Sequence, residues 1–337
     1  MRIKKELNDV FDSVVMHVKK TSEEVDCSGA SVLIIHKDKI VTEEYWGKHS
    51  KASGARPIQE DSQFHVASVR KSYIGFAASY AIHNGYIKSI DDEVNKYLPV
   101  PNMDLYNKTT IRHLLTHTHG LNLQDSNIVR EFPPGQSWAY RDIGVDLLTQ
   151  IIKLTTGKTI AEILFEEVFY PLDFQETGWH DDSNTKLVEV IRKSNDSLWS
   201  NDGGRDGDKK NMYVSTRELA YWGYIHLKQG LINGKQVVSR DIINSSTSLQ
   251  SPNLMNKDLP QNGFLWFVKD LPAKKSEIGE LVSKESFQIL GYTNVAVLVI
   301  PNKDIVVVRM FNSFGSTHNY DYLVNIREFG DTVMKCF

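Results

Sequence analysis

Ser68 and Lys71 stand three residues apart, and a serine one helical turn from a lysine is a compact way to make a nucleophile without a histidine. A lysine kept neutral by burial or by neighbouring cations can take the serine proton at ordinary pH, which a solvated ammonium cannot do. The flanking residues suit this chemistry. Phe64-His65-Val66-Ala67 reads as an extended approach, and Ser72 to Ala81 reads as a mostly apolar helix whose positive dipole end would favour the serine. Residue types alone leave a second reading open, an N-cap serine beside a solvated lysine.

The elements that must position this pair follow from periodicity. Ala30–His36 and Lys39–Gly47 are β-rich runs joined by a polar turn at Lys37-Asp38, an antiparallel hairpin. Val295–Ile300 and Ile305–Met310, bridged by Pro301-Asn302-Lys303-Asp304, form a second one. Residues 72–156 carry helical periodicity, with breaks at Pro99, Pro101, Gly120 and Pro133-Pro134-Gly135, and Ile143–Leu154 is an amphipathic helix ended by Gly157. Thr216–Gly230 is again helical and leads into a turn at Ile232-Asn233-Gly234-Lys235. The polar stretch Ser194–Lys210, with Gly203, Gly204 and Gly207, predicts a long surface loop. Met1–Phe11 places apolar residues at helical spacing among charges, which predicts an amphipathic helix and not a signal peptide.

Strands near both termini with helices between them predict an α+β protein. Its antiparallel sheet would be flanked by terminal helices, with a mostly helical domain inserted. The expected boundaries are 1–75 and 211–337 for the sheet domain and 76–210 for the insertion.

The 337 residues suffice for one large or two closely packed domains, and 41% apolar with 24% charged residues is an ordinary globular profile. A net charge of −3 gives no electrostatic case for nucleic acid or an anionic membrane. No apolar run approaches the length of a membrane span. Cys27 and Cys336 are the only cysteines, so a disulfide framework is not expected and a reducing cytoplasm is, with secretion open if a signal sequence was removed. Oligomeric state stays open.

In order along the chain, three segments resemble those of the serine β-lactamase and penicillin-binding-protein superfamily, in its class C-like branch of esterases, D-amino-acid peptidases and amide hydrolases. They are Phe64 to Ser72, Leu114-Leu115-Thr116-His117-Thr118-His119-Gly120-Leu121, and Pro134-Gly135-Gln136-Ser137-Trp138-Ala139-Tyr140-Arg141-Asp142. The resemblance implies a β-lactamase/transpeptidase-like fold with Ser68 as acyl-forming nucleophile, Lys71 as proton acceptor and Tyr140 as second acid/base. A phenol near lysine-type charges can pass a proton to a leaving group. Asp142 stands where the family usually has asparagine, and a carboxylate there could hold Lys71 protonated.

The family's third element, a Lys- or His-containing edge strand, corresponds to Phe287–Val295, which has neither residue. Tyr292-Thr293-Asn294 is the preferred alignment, within the segment Gly291–Val295, and Ile289-Leu290-Gly291 is the alternative. Either register supplies backbone N–H donors for an oxyanion hole with Ser68. Losing the cation argues against a carboxylate-bearing substrate. The resemblance therefore points to a small ester or amide as substrate, handled by a carboxylesterase or amide hydrolase. A D-alanyl-D-alanine carboxypeptidase, D-aminopeptidase or β-lactamase, and a catalytically silent binding protein, are the rivals.

The same resemblance places His113, His117 and His119 in enzymes that use no metal, so neither metal nor cofactor is expected. Asp91-Asp92-Glu93 reads as a helix start. The tryptophans are expected in the core, with Trp138 the one to watch because it precedes Tyr140 by two residues.

Overall fold

The computed structural model describes residues 1–99, 103–200 and 202–337, so the expected break at Pro101 lies outside the described residues. Strand β1 (Lys4–Lys5) and helix α1 (Asp12–Glu24) lead into β2 (Gly29–His36) and β3 (Lys39–Gly47). Helix α2 (Arg70–His83) follows the candidate nucleophile, α3 (Asp142–Thr156) follows Tyr140, and α4 (Thr216–Leu227) returns the chain to the sheet. Strands β4 (Phe267–Val268), β5 (Phe287–Leu290), β6 (Ala296–Ile300) and β7 (Ile305–Phe311) and helix α5 (Tyr322–Met334) complete the frame.

The sheet has seven strands in the order β1-β3-β2-β7-β6-β5-β4, antiparallel throughout except where β1 runs parallel to β3. Both expected hairpins form. The β2–β3 turn works because Lys37 and Asp38 both adopt positive φ, the twist a two-residue hairpin loop requires. The central strands read as unbroken apolar runs because both faces are covered. Val32, Ile34, Leu298 and Val307 face α1 and α5, while Leu33, Ile35, Val297, Val299, Val306 and Val308 face α4 and the helices behind it. The chain is thus α+β, with its sheet built from both termini and helices between.

The first residues depart from expectation. Residues 1–11 hold no helix, and the helix begins at Asp12. Lys4 and Lys5 pair with Lys39 and Ile40, and the Glu6 and Asn8 amides donate to the Ile40 and Val41 carbonyls. The open edge of β3 offers backbone partners that only an extended segment can use, and this outweighs a weak helical spacing. Within 72–156 the helical pattern is also interrupted by a small hairpin, Leu121–Gln124 with Asn127–Arg130, turned at Asp125-Ser126 with positive φ at both.

Asp91-Asp92-Glu93 starts only a single 3-10 turn, Val94–Lys96. Its carboxylates hold neighbours together, Asp91 binding Arg112 at 2.6 Å and Asp92 binding Lys96 at 2.9 Å.

Helix α2 is buried along almost its whole length, so it needs a close neighbour on every side. At Gly75 the Phe264 carbonyl oxygen lies 2.1 Å from where a Cβ would sit. Gly75→Ala must therefore push the helix off this segment, and we expect a loss of about 1–3 kcal/mol in chemical denaturation, as for other overpacked cores. An unchanged midpoint would contradict this packing.

Candidate active site

The approach to Ser68 is a short strand, Gln63–His65, paired with Met212–Ser215, which pairs in turn with Thr177–Trp179. Ala67 then takes φ of +45°, a conformation L-residues rarely adopt. Three contacts hold the bend: the Val66 amide donates to the Met212 carbonyl, the Ala67 amide donates to His65 Nδ1 and the Thr293 hydroxyl donates to the His65 carbonyl. Strain pinned in this way just before a reactive side chain presents it to a cleft. Ser68 sits in the 3-10 turn Ala67–Val69 that opens into α2, and it is partly exposed.

Lys71, in the first turn of α2, is 2% exposed. Its Nζ donates to Ser68 Oγ at 3.0 Å and pairs with Asp142 Oδ1 at 2.9 Å. It also lies 4.7 Å from the centre of the Tyr140 ring. Asp142 opens α3, where a carboxylate is favoured by the helix dipole. Its second oxygen accepts from Lys210 at 2.8 Å. The Lys71 charge, with Lys210 adding to it, holds the Asp142 carboxyl well below the usual carboxylate range despite partial burial.

Tyr140 packs against His117, with ring centres 4.5 Å apart, and Trp138 stands 6.2 Å from it. Burial, and then the Lys71 charge, push the His117 imidazole well below its ordinary range. It is therefore a neutral wall behind the tyrosine. His113 instead caps the helix Ile111–Leu115 with Thr110, and His119 binds the Leu121 amide. Among the described residues no group of three His, Cys, Asp or Glu side chains converges as metal ligands.

The segment Gly291–Val295 is the turn between β5 and β6. The Gly291 amide donates to Val295 and the Asn294 amide to Gly291. Gly291 must be glycine, because the Val66 carbonyl lies 2.3 Å from the position of a Cβ. Thr293 is turned inward to His65, and the Asn294 amide nitrogen reaches the Ser313 and Gly315 carbonyls. Val295 is fully buried and Tyr292 is 43% exposed.

Two cavities meet at Ser68, Tyr140 and Tyr292. The larger, about 510 Å³, is walled mainly by apolar groups including Trp138, Leu259, Pro260, Phe267 and Leu290. The smaller, about 310 Å³, holds Lys71, Asp142, Lys210 and, from the expected long loop, Leu198 and Trp199. Trp138 is thus a cleft residue, held by an Nε1–H bond to Asn262 at 2.8 Å, while Trp222 and Trp266 are core.

Three residues of this site have no clear mark in the sequence. Lys210 ends a polar loop like any other lysine. Arg70, fully buried on the wall of the smaller cavity, stands between Val69 and Lys71 as if on a solvated helix start. Glu277, on the wall of the larger cavity, lies in a run of polar residues that reads as surface.

A profile of the Beta-lactamase family matches residues 16–327. The chain belongs to that family. An uncharacterized protein of Alkalihalophilus pseudofirmus is 61% identical over 336 residues, spanning 100% of this chain and 99% of that one. Several more distant relatives are spanned over 33% to 59% of their own length, and another, a beta-lactamase of Pseudomonas fluorescens 23% identical to this chain, over 88%. A penicillin-binding protein homolog from Caulobacter crescentus superposes with a TM-score of 0.78 at 15% identity, covering 100% of both chains. EstCE1, described as a hydrolase with promiscuous acyltransferase activity, gives 0.71 at 17% identity over 96% of this chain and 100% of its own. These likenesses establish the β-lactamase/transpeptidase-like fold. No helix among the described residues is long and apolar enough to cross a membrane.

The Lys71–Asp142 pair has a pH signature. A carboxyl whose folded-state pKa is depressed stabilises the protein above its unfolded value of about 3.8 and loses that contribution as pH falls toward the folded value. Asp142→Asn leaves Lys71 buried without its counter-ion, and we expect it to cost about 1–3 kcal/mol at neutral pH. The gap from the parent protein should close below about pH 4. Thermal melts of both proteins across this range check it; a gap independent of pH would count against the pair.

Proposed function

We propose that the protein is a serine hydrolase that forms an acyl-enzyme on Ser68 and hydrolyses small esters or amides, as a carboxylesterase or small-amide hydrolase does. The observation that carries this reading is the Ser68 hydroxyl held 3.0 Å from the buried Lys71 amine at the meeting point of two cavities. We place the cleft between a sheet domain, 1–75 with 211–337, and a helical insertion, 76–210.

In the reacting form the Lys71–Tyr140 pair is one proton short of ammonium plus phenol; in the acylation half Ser68 Oγ attacks the substrate carbonyl carbon and its proton fills that place. The carbonyl electron pair moves onto oxygen, for which the Ser68 and Tyr292 backbone amides are the candidate donors. The tetrahedral species collapses, breaking the bond to the leaving group, which takes the proton from Tyr140 or Lys71. Water then repeats the sequence on the acyl-enzyme, losing its proton to the same pair and releasing the acid and Ser68.

Asp142 fixes the amine through their 2.9 Å ion pair. The mostly apolar larger cavity suits an acyl or alkyl chain, and likeness to EstCE1, a hydrolase with promiscuous acyltransferase activity, agrees with acyl transfer. The absence of lysine and histidine from Phe287–Val295 weighs against a penicillin or a peptidyl-D-alanine terminus.

A panel of p-nitrophenyl acyl esters, anilides and D-Ala-D-Ala peptides, run with Ser68→Ala and Tyr140→Phe, tests this reading. We expect ester turnover, its loss by about 10³-fold or more in Ser68→Ala, and a drop of about 10²–10⁴-fold in Tyr140→Phe. Activity that survives Ser68→Ala would overturn the mechanism. No turnover across the panel would favour a silent binding protein, a role the direct Lys71–Asp142 pair would also fit.

A further inference from the structure

Glu277 is 6% exposed, yet its Oε2 has no hydrogen-bond partner among the described residues. It lines the same cavity of about 510 Å³ as Ser68, Trp138 and Tyr140. A buried carboxylate is expensive unless paired, so an unpaired one on a mostly apolar wall is a place for a donor or a cation.

The nearby groups do not fill it. The Tyr322 hydroxyl, from α5, reaches Oε1 only at 3.4 Å, and Gln288 Nε2 binds the Glu277 main-chain carbonyl instead. Arg327, also on α5, donates to the Lys274 and Ser276 carbonyls and acts on Glu277 only through its distant charge. Arg309, buried in the same wall, donates to Asn325 and lies over Phe311 and Phe329. Lys275 also borders the cavity but is exposed. Burial accordingly pushes the Glu277 carboxyl up to about 7, with its own backbone amide, Tyr322 and Arg327 only partly opposing it.

We infer that Glu277 is the recognition group for a positively charged amine or quaternary ammonium carried by the substrate, which sets the substrate class as cationic esters or amides. The inference rests on Ser68 as the reacting group of this cleft. A cation entering the cavity would gain a counter-ion whose desolvation has already been met in the folded protein, while the aromatic walls of Trp138 and Tyr140 offer further cation–π contact. A neutral isostere of the same shape would fill the space and leave Oε2 unpaired. Preference for charge is thus built into the wall and needs no change in the machinery at Ser68.

The test is calorimetric binding to Ser68→Ala protein, so that it does not depend on turnover. Two matched pairs place the charge on either side of the scissile bond. One is butyrylcholine against 3,3-dimethylbutyl butyrate; the other is ethyl 4-(trimethylammonio)butanoate against ethyl 5,5-dimethylhexanoate. At about pH 8.5, where Glu277 is ionised, we expect at least one cation to bind about tenfold or more tightly than its isostere. That preference should fade toward about pH 5.5 and be absent from Ser68→Ala/Glu277→Gln. Equal affinity within both pairs, or a preference that persists in the Glu277→Gln variant, overturns the inference. A preference that is flat with pH in protein retaining Glu277 does so as well, without relying on the substitution. Failure of acyl transfer would appear separately, as absent turnover of neutral esters by the unsubstituted enzyme.

Discussion

A lysine amine 2% exposed to solvent, held between a serine hydroxyl at 3.0 Å and a carboxylate at 2.9 Å, is the constraint to which the rest of the molecule answers. Burying an ammonium costs several kcal/mol unless it is paired, so Lys71 cannot be placed inside α2 without Asp142. Asp142 in turn needs α3 to begin where it does, immediately after Tyr140. The long loop closes the arrangement by bringing Lys210 to the other carboxylate oxygen. From the sheet side, the turn after β5 packs so closely on Val66 and Ala67 that only glycine fits at 291, and Thr293 ties it to His65. The positive φ at Ala67 is the local cost of aiming Ser68 at the place where these elements meet.

Much of this frame was legible in the residue order. The runs Val32–Ile35, Val295–Ile300 and Ile305–Val308 are apolar without interruption because their sheet is covered on both faces, and the polar linkers within each hairpin form tight turns. The helix from Asp142 to Thr156 could be read from its spacing and its terminal glycine. Met1–Phe11 could not, because its state is set by the unpaired edge of β3, which is remote in sequence until the hairpin forms. The hairpin at 121–130 was hidden for a similar reason, since its strands are short and sit in a helical neighbourhood.

The site divides in the same way. Ser68, Lys71, Tyr140 and Asp142 carry local spacing, and the structure brings the serine, the amine, the phenol ring and the carboxylate together. For Gly291 to Val295 the sequence indicates a turn near the nucleophile but not which side chains face it. Thr293 points inward and Tyr292 outward, a difference decided by the packing of the turn on Val66 and Ala67. Lys210 meets Asp142 across 68 residues of chain and Glu277 meets Tyr322 across 45, and no local pattern encodes that. Two cavities meet at Ser68, one mostly apolar with a single buried acid, the other lined by paired charges.

The central claim is that burial beside Lys71 is what makes the Ser68 hydroxyl reactive. The most direct measurement is the rate at which a neutral alkyl fluorophosphonate modifies the intact protein, followed by mass spectrometry and peptide mapping, in parent and Lys71→Met forms. The account predicts a single adduct on Ser68 in the parent, formed at least about 10²-fold more slowly when the amine is gone. An adduct on another residue, or equal rates in the two proteins, would contradict it.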